Sequence, residues 1–194
     1  MSGHPPRRLC GGARIAVRLA VLALALAGAA PAGALAGGAP PACRAAADGC
    51  RVVLTRALAR ELDAVQREVN AALRPASDRE AFGLAEHWTP VAAPGGRGDC
   101  EDFALTKLHR LLRRGWPRDA LRLTLATLPD GQEHLVLAVR TDRGDYVLDN
   151  LRPAPVLWTA LPYRWRAQET PGSAAWRAIA APAPGAAEGD RQGA

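Results

Sequence analysis

The sequence predicts an α+β domain in which two helices precede an antiparallel sheet. Residues 52–73 and 99–114 carry apolar side chains at helical spacing, whereas residues 121–128, 134–140 and 145–151 have the composition of strands and are separated by short turns. Because helical and strand segments are segregated along the chain, we expect the helices to pack on one side of the sheet.

The first predicted helix covers residues 52–73. Its apolar residues recur at spacings of one to four, which gives one broad apolar face. Thr55 or Arg51 could begin this helix, and Pro75 ends it. Residues 76–98 follow as an irregular connection with two prolines and several glycines. Connections of this length are uncommon in compact domains unless they line a site.

The second predicted helix, residues 99–114, is stopped by Gly115 and Pro117. The three predicted strands follow it, with turns at residues 129–131 and 141–144. Residues 158–176 contain a candidate further strand and several aromatic core positions.

The N-terminal segment has the pattern of a secretory signal. Four arginines precede the short apolar run LAVLALALA, and Ala34-Leu35-Ala36 offers the small residues that a signal peptidase reads. We therefore expect residues 1–36 to be removed and the protein to be periplasmic or secreted. The apolar run is shorter than the roughly 20 residues that a membrane span needs, so we expect no span after cleavage; an uncleaved anchor is the alternative.

Charge and composition limit the possible partners. Loss of the four signal arginines lowers the formal charge from +6 to about +2, and no basic stripe is interleaved with aromatic residues, so nucleic acid is not an expected partner. Residues 37–50 form an N-terminal segment, residues 51–180 a single domain, and residues 181–194 a tail with too few apolar side chains to fold.

Cysteine usage fits an oxidising compartment. Cys10 leaves with the signal, and Cys43 and Cys50 are close enough in a loop-like segment to form a local disulfide. Cys100 is then the odd cysteine of the mature chain. An odd cysteine is a buried bystander, an intermolecular link or a reactive thiol.

Cys100 falls on the first turn of the second predicted helix, within the segment GDCEDFA. The unpaired backbone N–H groups of a helix N-terminus favour an anion there, which stabilises a thiolate. The glycine-rich stretch before it, which ends at Gly98, allows a substrate backbone to approach closely. The alternative is a plain helix start in which Asp99 is the N-cap and the acids that follow suit the helix dipole.

A catalytic cysteine needs a base and a group that orients it. His109 lies nine residues after Cys100 on the same helix and so faces the opposite side, while nothing fixes His87 in the long connection. His134 opens a predicted strand. If residues 141–144 form a four-residue turn, Asp149 lies diagonal to His134 on the next strand; a turn shorter by two places them directly opposite. In both registers Asp149 can orient the imidazole.

Four segments together resemble the bacterial transglutaminase-like cysteine proteinases, a branch of the papain-like superfamily. They are Trp88-Thr89-Pro90, the GDCEDFA segment, HLVL from His134, and LDNL around Asp149. The resemblance spans about residues 52–176. It implies a papain-like, transglutaminase-like core with Cys100 at a helix N-terminus packed on an antiparallel sheet, and a catalytic triad of Cys100, His134 and Asp149.

The resemblance also implies a calcium ion near the catalytic cysteine, held by Asp99 and Glu101 with Asp102 adjacent. A cation there would cancel the repulsion between three carboxylates and a thiolate; the alternative is three solvated first-turn acids. No organic cofactor is expected. Trp88, Gly98 and Asn150 are candidate residues of the substrate cleft.

The function that follows is an exported cysteine endopeptidase acting on a protein. The family implies a large surface protein of the adhesin type as substrate and a membrane receptor as regulator. A transglutaminase-like acyl transferase or deamidase would use the same triad, and a calcium-dependent binding module without catalysis is an alternative of another class.

Overall fold

The structure is a computed structural model that describes residues 40–47, 49–91, 94–173 and 175–180. The predicted signal peptide and the predicted disordered tail lie outside the described residues. Within them the chain is a mixed α+β domain: three helices, α1 to α3, accompany an eight-stranded sheet and a separate two-stranded one. No helix among these residues has the length and apolar character needed to cross a membrane.

The chain begins with an antiparallel hairpin of β1 (Cys43–Ala46) and β2 (Gly49–Val52). The predicted disulfide between Cys43 and Cys50 is present and joins the two strands across a Cα–Cα distance of 5.6 Å. The expectation of a loop-like segment was wrong, because these residues pair as strands. Val52 then pairs in parallel with Thr141 and attaches the hairpin to the main sheet.

Helix α1 (Arg56–Ala72) begins four residues later than the sequence predicted. Val52 belongs to β2, and Thr55, one of the two expected starts, caps the helix by accepting a hydrogen bond of 3.2 Å from the backbone N–H of Leu58. Its apolar face is buried, as the periodicity predicted.

The connection between the two long helices contains structure that the sequence did not predict. β3 (Arg74–Pro75) pairs in parallel with β4 (Arg97–Gly98), which closes the connection into a loop. Between them lies α2 (Asp78–Phe82), whose first turn carries a capping box formed by Ser77 and Glu80. The Ser-x-x-Glu spacing was the local signal for this helix.

Helix α3 (Cys100–Arg113) agrees with the prediction to within one residue at each end. Asp99 is its N-cap, because its side chain accepts a hydrogen bond of 3.2 Å from the backbone N–H of Glu101. The chain leaves the helix through Gly115, whose φ of 82° lies in the left-handed region that favours glycine. Cys100 is thus the first residue of a well-capped helix.

The three predicted strands are present in the larger sheet, which is curled and mixed rather than purely antiparallel. The third ends at Leu148, three residues earlier than predicted, so Asp149 lies just after the strand and not on it. Its strand order is β1-β2-β6-β5-β9-β10, with β7 paired to β6 and β8 paired to β7, and β2–β6 is its parallel pair. The strands after the hairpin are β5 (Leu121–Thr127), β6 (Glu133–Thr141), β7 (Gly144–Leu148), β8 (Val156–Leu157), β9 (Arg164–Glu169) and β10 (Trp176–Ala178).

Alternate side chains of β6 enter two apolar clusters. Leu135, Leu137 and Val139 join the main core together with side chains of α1 and α3. Val136 belongs to a smaller cluster that contains Tyr163 and is flanked by the partly buried Trp158 and Trp165. Strand β6 is therefore buried on both faces, and residues at its beginning are held rigidly against α3.

Candidate active site

Cys100 is fully buried, and its sulfur lies against the beginning of β6. The backbone N–H of Leu135 donates a hydrogen bond of 3.4 Å to Cys100 Sγ, and Glu101 Oε2 lies 3.1 Å from the same sulfur. The helix start and the strand that carries His134 thus meet at this sulfur.

His134 and Asp149 form a buried hydrogen-bonded pair. His134 Nε2 lies 2.8 Å from Asp149 Oδ1, and both side chains have 0 % exposure. The first of the two registers considered from the sequence is confirmed, since Arg140 pairs with Asp145. Asp149 follows the last residue of β7, and in this position it reaches the imidazole diagonally.

Two further donors hold the Asp149 carboxylate. The backbone N–H of Leu151 donates to Oδ1 at 2.8 Å, and the hydroxyl of Tyr163 donates to Oδ2 at 2.7 Å. Burial raises the pKa of Asp149. This effect is outweighed by the hydrogen bond and charge of His134 and by the hydrogen bonds from Leu151 and Tyr163, so the pKa lies below its ordinary value. The carboxylate is therefore ionised at neutral pH and can orient His134.

The backbone around Asp149 is fixed by two amides of α1 that the sequence analysis missed. Gln66 Nε2 donates to the carbonyl oxygen of Asp149 at 2.6 Å and to that of Arg152 at 2.7 Å. Asn70 Nδ2 donates to the same two oxygens at 3.3 and 2.9 Å. Gln66 is fully buried on the apolar side of α1, and a polar residue in that position was the available signal.

The sequence predicted that His109 faces away from Cys100 and fixed no position for His87. His109 is exposed on α3. His87 is half-buried in the segment before α3, where its backbone N–H donates to Asp78 Oδ2 and its ring contacts Phe82.

The acids at the start of α3 are buried, so the alternative of three solvated acids is wrong. Asp99 and Glu101 are each 2 % exposed and Asp102 is 0 % exposed. Ligand atoms of Asp99, Cys100 and Glu101 lie within 4.8 Å of one another, and so do those of Asp78, Asp99 and Asp102. The structure thus adds Asp78, which the sequence analysis missed, and links the two groups through Asp99.

Burial also changes the protonation of these acids. Burial, with the neighbouring carboxyl group of Asp99, raises the pKa of Glu101 to about 10. Burial raises the pKa of Asp102 to about 7 and the pKa of Asp78 above its ordinary value. In each group a hydrogen bond from a backbone N–H lowers the pKa but does not outweigh burial. Among the described residues, Asp102 Oδ2 and Asp78 Oδ1 have no hydrogen-bond partner. Such a cluster is unfavourable as a set of anions unless a cation joins it.

The candidate cleft residues differ in their surroundings. Trp88 packs partly buried against the main core, with its ring edge-on to Trp176 at 6.5 Å. Gly98 is buried, and a Cβ at this position would come within 2.7 Å of Asp102 Cβ, so glycine is required by close packing on α3. Asn150 is half-buried beside Asp149. A role in substrate binding stays a prediction for all three.

One buried cation lies near the pair. Lys107 follows Cys100 by seven residues on α3, is fully buried, and has its Nζ 5.9 Å from the centre of the Phe103 ring. Burial lowers the pKa of Lys107 to about 7, and the charge of Asp149 partly opposes this shift. Within the described part of the chain, its Nζ has no hydrogen-bond partner.

Comparison with known proteins gives one family. A family model described as bacterial transglutaminase-like cysteine proteinase, BTLCP, matches residues 37–183. No curated protein matches the sequence.

Three solved structures of Legionella pneumophila LapG are similar to the chain. The calcium-bound form is 27 % identical, covers 57 % of this chain and 64 % of that one, and has a TM-score of 0.46. The EGTA-treated form is 27 % identical, covers 56 % of this chain and 61 % of that one, and has a TM-score of 0.47. A third structure is 28 % identical, covers 57 % of this chain and 62 % of that one, and has a TM-score of 0.48. The match spans less than two thirds of each LapG chain.

Proposed function

The chain belongs to the bacterial transglutaminase-like cysteine proteinase family and is a cysteine protease, and from that premise we propose that Cys100, His134 and Asp149 are its catalytic triad. The observation that carries this assignment is the buried hydrogen bond of 2.8 Å between His134 and Asp149. It lies directly beside Leu135, whose backbone N–H donates to the sulfur of Cys100.

The pair fixes which imidazole nitrogen acts as base. Nε2 faces the ionised Asp149 carboxylate and so carries the proton, which makes Nδ1 the nitrogen that accepts a proton from the reduced Cys100 thiol. The role of Asp149 is to hold that tautomer and to stabilise the imidazolium that forms.

The reaction then follows from these positions. The Cys100 thiolate adds to the carbonyl carbon of a peptide bond, and the oxyanion is stabilised by the backbone N–H of Cys100 and a polar group of the neighbouring loop. His134 gives its proton to the leaving amine as the C–N bond breaks. A water molecule, deprotonated by His134, attacks the thioester, and the acid product leaves as the thiol is restored. An amine in place of water would make the enzyme an acyl transferase.

We also propose that the acidic cluster binds Ca²⁺ and that its ligands include Asp78 together with Asp99 and Asp102. The fit rests on the described residues: three buried carboxylates converge, and two of their oxygens have no hydrogen-bond partner among those residues. Hard carboxylate oxygens suit Ca²⁺. Glu101 shares Asp99 with this group and remains a candidate ligand. When bound, the ion would offset negative charge beside the catalytic sulfur.

Calcium binding can be tested by titrating the metal-free protein with Ca²⁺ in a calorimeter. We expect binding by the wild type and at least tenfold weaker binding by Asp78→Asn, because that change removes a charged ligand. Asp119→Asn, which changes an exposed acid in the short 3₁₀ turn just before β5, is the matched control and should bind as the wild type does. Equal affinities in all three proteins would remove Asp78 from the site.

The family and the disulfide support a proposal for the substrate and the location. We propose a large surface protein as the substrate, a membrane receptor as a regulator, and the periplasm or the exterior as the location. The Cys43–Cys50 disulfide supports an oxidising compartment.

The triad is tested by labelling Cys100 with iodoacetamide at pH 6 in a reducing buffer, with the modified peptide quantified by mass spectrometry. We expect His134→Ala to slow labelling by about 10²-fold or more, because the thiol loses the base that ionises it. His109→Ala, which changes an exposed histidine on the helix that carries Cys100, is the matched control. Identical rates in the three proteins would exclude His134 as the base.

The substrate is tested in the native organism by comparing the surface proteins of the parent strain and a Cys100→Ala strain. A surface protein that accumulates uncut in the variant, and that the purified enzyme cleaves, is the expected result. If the purified enzyme instead exchanges an added amine into a glutamine peptide without hydrolysing it, acyl transfer replaces hydrolysis as the activity.

A further inference from the structure

Tyr163 contacts both members of the His134–Asp149 pair. Its hydroxyl donates to Asp149 Oδ2 at 2.7 Å, and its ring stands edge-on to the His134 ring, at 87° and with the ring centres 6.1 Å apart. The residue lies just before β9, far in sequence from both partners. One side chain therefore braces the carboxylate through a hydrogen bond and the imidazole through ring packing.

The Tyr163 hydroxyl completes the hydrogen bonding of the Asp149 carboxylate. Oδ1 accepts from the backbone N–H of Leu151 and lies 2.8 Å from His134 Nε2, and among the described residues Tyr163 is the donor to Oδ2. Without that donor the carboxyl group would be held through one oxygen and could rotate about its Cβ–Cγ bond. Rotation would turn Oδ1 away from the imidazole.

Tyr163 is itself held in place. Trp165 packs against its ring at 5.6 Å and is stacked on Trp158 at 3.6 Å, and the guanidinium of Arg152 lies 5.9 Å from the centre of the Tyr163 ring. Burial and the hydrogen bond to Asp149 raise the pKa of Tyr163 to about 12, so the hydroxyl keeps its proton and remains a donor at any working pH.

We propose that Tyr163 is a positioning residue of the reaction, which holds Asp149 and His134 in the orientation that activates Cys100. This inference rests on the proposed triad. Tyr163 acts through Asp149 and His134 and does not itself touch the reacting atoms.

Charged groups near Asp149 affect the pH at which the His134–Asp149 pair takes up a proton. They are His134 from β6, Lys107 from α3, and Arg152 near the Tyr163 ring. The hydrogen bond from Tyr163 favours the ionised form of Asp149. Removing the hydroxyl should therefore let the His134–Asp149 pair take up a proton at a higher pH, as one coupled system.

The test is the pH profile of Cys100 labelling by iodoacetamide for Tyr163→Phe. We expect the acidic limb to move to higher pH by up to about one unit, which lowers the rate at pH 6 by roughly tenfold. The chain has two tyrosines, so Tyr146→Phe, in β7, is the matched control and should leave the profile unchanged. In protein labelled with ¹⁵N-histidine, the wild type should show a single His134 tautomer and Tyr163→Phe a mixture.

A second measurement avoids any loss of folding in Tyr163→Phe. In the Tyr146→Phe background, biosynthetic 3-fluorotyrosine labels Tyr163 alone, and its more acidic hydroxyl is a stronger donor, so the acidic limb should move to lower pH. If neither change moves the limb while His134→Ala slows labelling, Tyr163 only fills space and the inference is wrong. If His134→Ala also has no effect, the proposed triad itself is wrong.

Discussion

The backbone N–H of Thr89 donates a hydrogen bond of 2.9 Å to Oδ1 of Asp102, so the segment before α3 is tied to the first turn of that helix. Oδ2 of the same carboxyl group has no hydrogen-bond partner among the described residues. Asp102 therefore links the position of the Trp88 segment to the charge of the acidic cluster. Protonation of Asp102, or cation binding to it, should therefore change the free energy of unfolding.

We expect the cation-free protein to lose stability as the pH rises from about 4 to 7. Asp102 titrates at 3.8 in the unfolded chain and at about 7 in the folded one. The folded state therefore binds more protons in this window, and the free energy of unfolding falls with pH, by at most on the order of 4 kcal/mol for this group. Urea unfolding in EGTA at several pH values measures it, and Asp102→Asn should flatten the profile.

Other acids contribute to the same profile, so the difference between variants is the decisive quantity. Asp78 and Glu101 act in the same direction, because their pKa values are also raised, whereas Asp149 acts in the opposite one. Saturating Ca²⁺ should remove most of the decline above pH 5, and Asp119→Asn should follow the wild type. If the difference in the free energy of unfolding between the wild type and Asp102→Asn grew as the pH falls, a raised pKa of Asp102 would be contradicted.

Asp149→Ala should reduce both stability and the reactivity of Cys100. The change leaves His134, the Leu151 N–H and the Tyr163 hydroxyl without their acceptor in a buried region, at a cost of about 1–3 kcal/mol for each buried donor. The imidazole also loses its orientation, so labelling of Cys100 should slow by about 10²-fold or more.

Asp149→Asn separates the two effects of the carboxylate. The amide oxygen can still accept from His134 and Leu151, and the Tyr163 hydroxyl can turn to accept from the new amide. We expect this variant to keep most of the stability and to lose less reactivity than Asp149→Ala. Urea unfolding and iodoacetamide labelling measure the two effects, and equal losses in both variants would mean that the charge alone matters.

The predicted α+β class, the family, the start of α3 and the register between β6 and β7 are confirmed. These features depend on local signals: Asp99 is a cap, Gly115 stops the helix, and the turn before Gly144 sets the pairing. Helix α2 also had a local signal, the Ser77–Glu80 capping box, which was overlooked.

The residues that the sequence did not reveal act across long chain separations. Asp78 reaches Asp99 because β3 pairs with β4 and closes the loop between them, and Gln66 reaches the Asp149 carbonyl because α1 packs beside the end of β7. Tyr163 meets Asp149 through the return of the chain towards β9. No spacing in the sequence encodes such contacts, since they depend on tertiary packing.

The Cys43–Cys50 disulfide should contribute stability without affecting the site. It closes a short loop of the hairpin, for which the chain-entropy estimate is about 2 kcal/mol. The hairpin joins β6 at Thr141, whereas His134 lies at the other end of that strand, roughly 20 Å away at 3.3 Å per residue. Cys43→Ser/Cys50→Ser should therefore unfold at lower urea concentration and label at Cys100 at the wild-type rate. A tenfold slower labelling in the folded variant would show that the hairpin reaches the site.

Lys107→Met should stabilise the protein at neutral and acidic pH. Lys107, the single lysine of the sequence, is buried without a hydrogen-bond partner among the described residues, and burial lowers its pKa from 10.5 to about 7. The unfolded chain keeps the proton across that window, so the penalty is complete below pH 7 and fades towards pH 10.5. Methionine has a similar shape and no charge, and we expect a gain of about 1–4 kcal/mol in the free energy of unfolding at pH 6 that disappears by pH 10.

Urea unfolding at both pH values measures this gain, with Arg113→Met on the exposed face of α3 as the control. Destabilisation by Lys107→Met at pH 6 would mean instead that the lysine is a necessary counter-charge for Asp149.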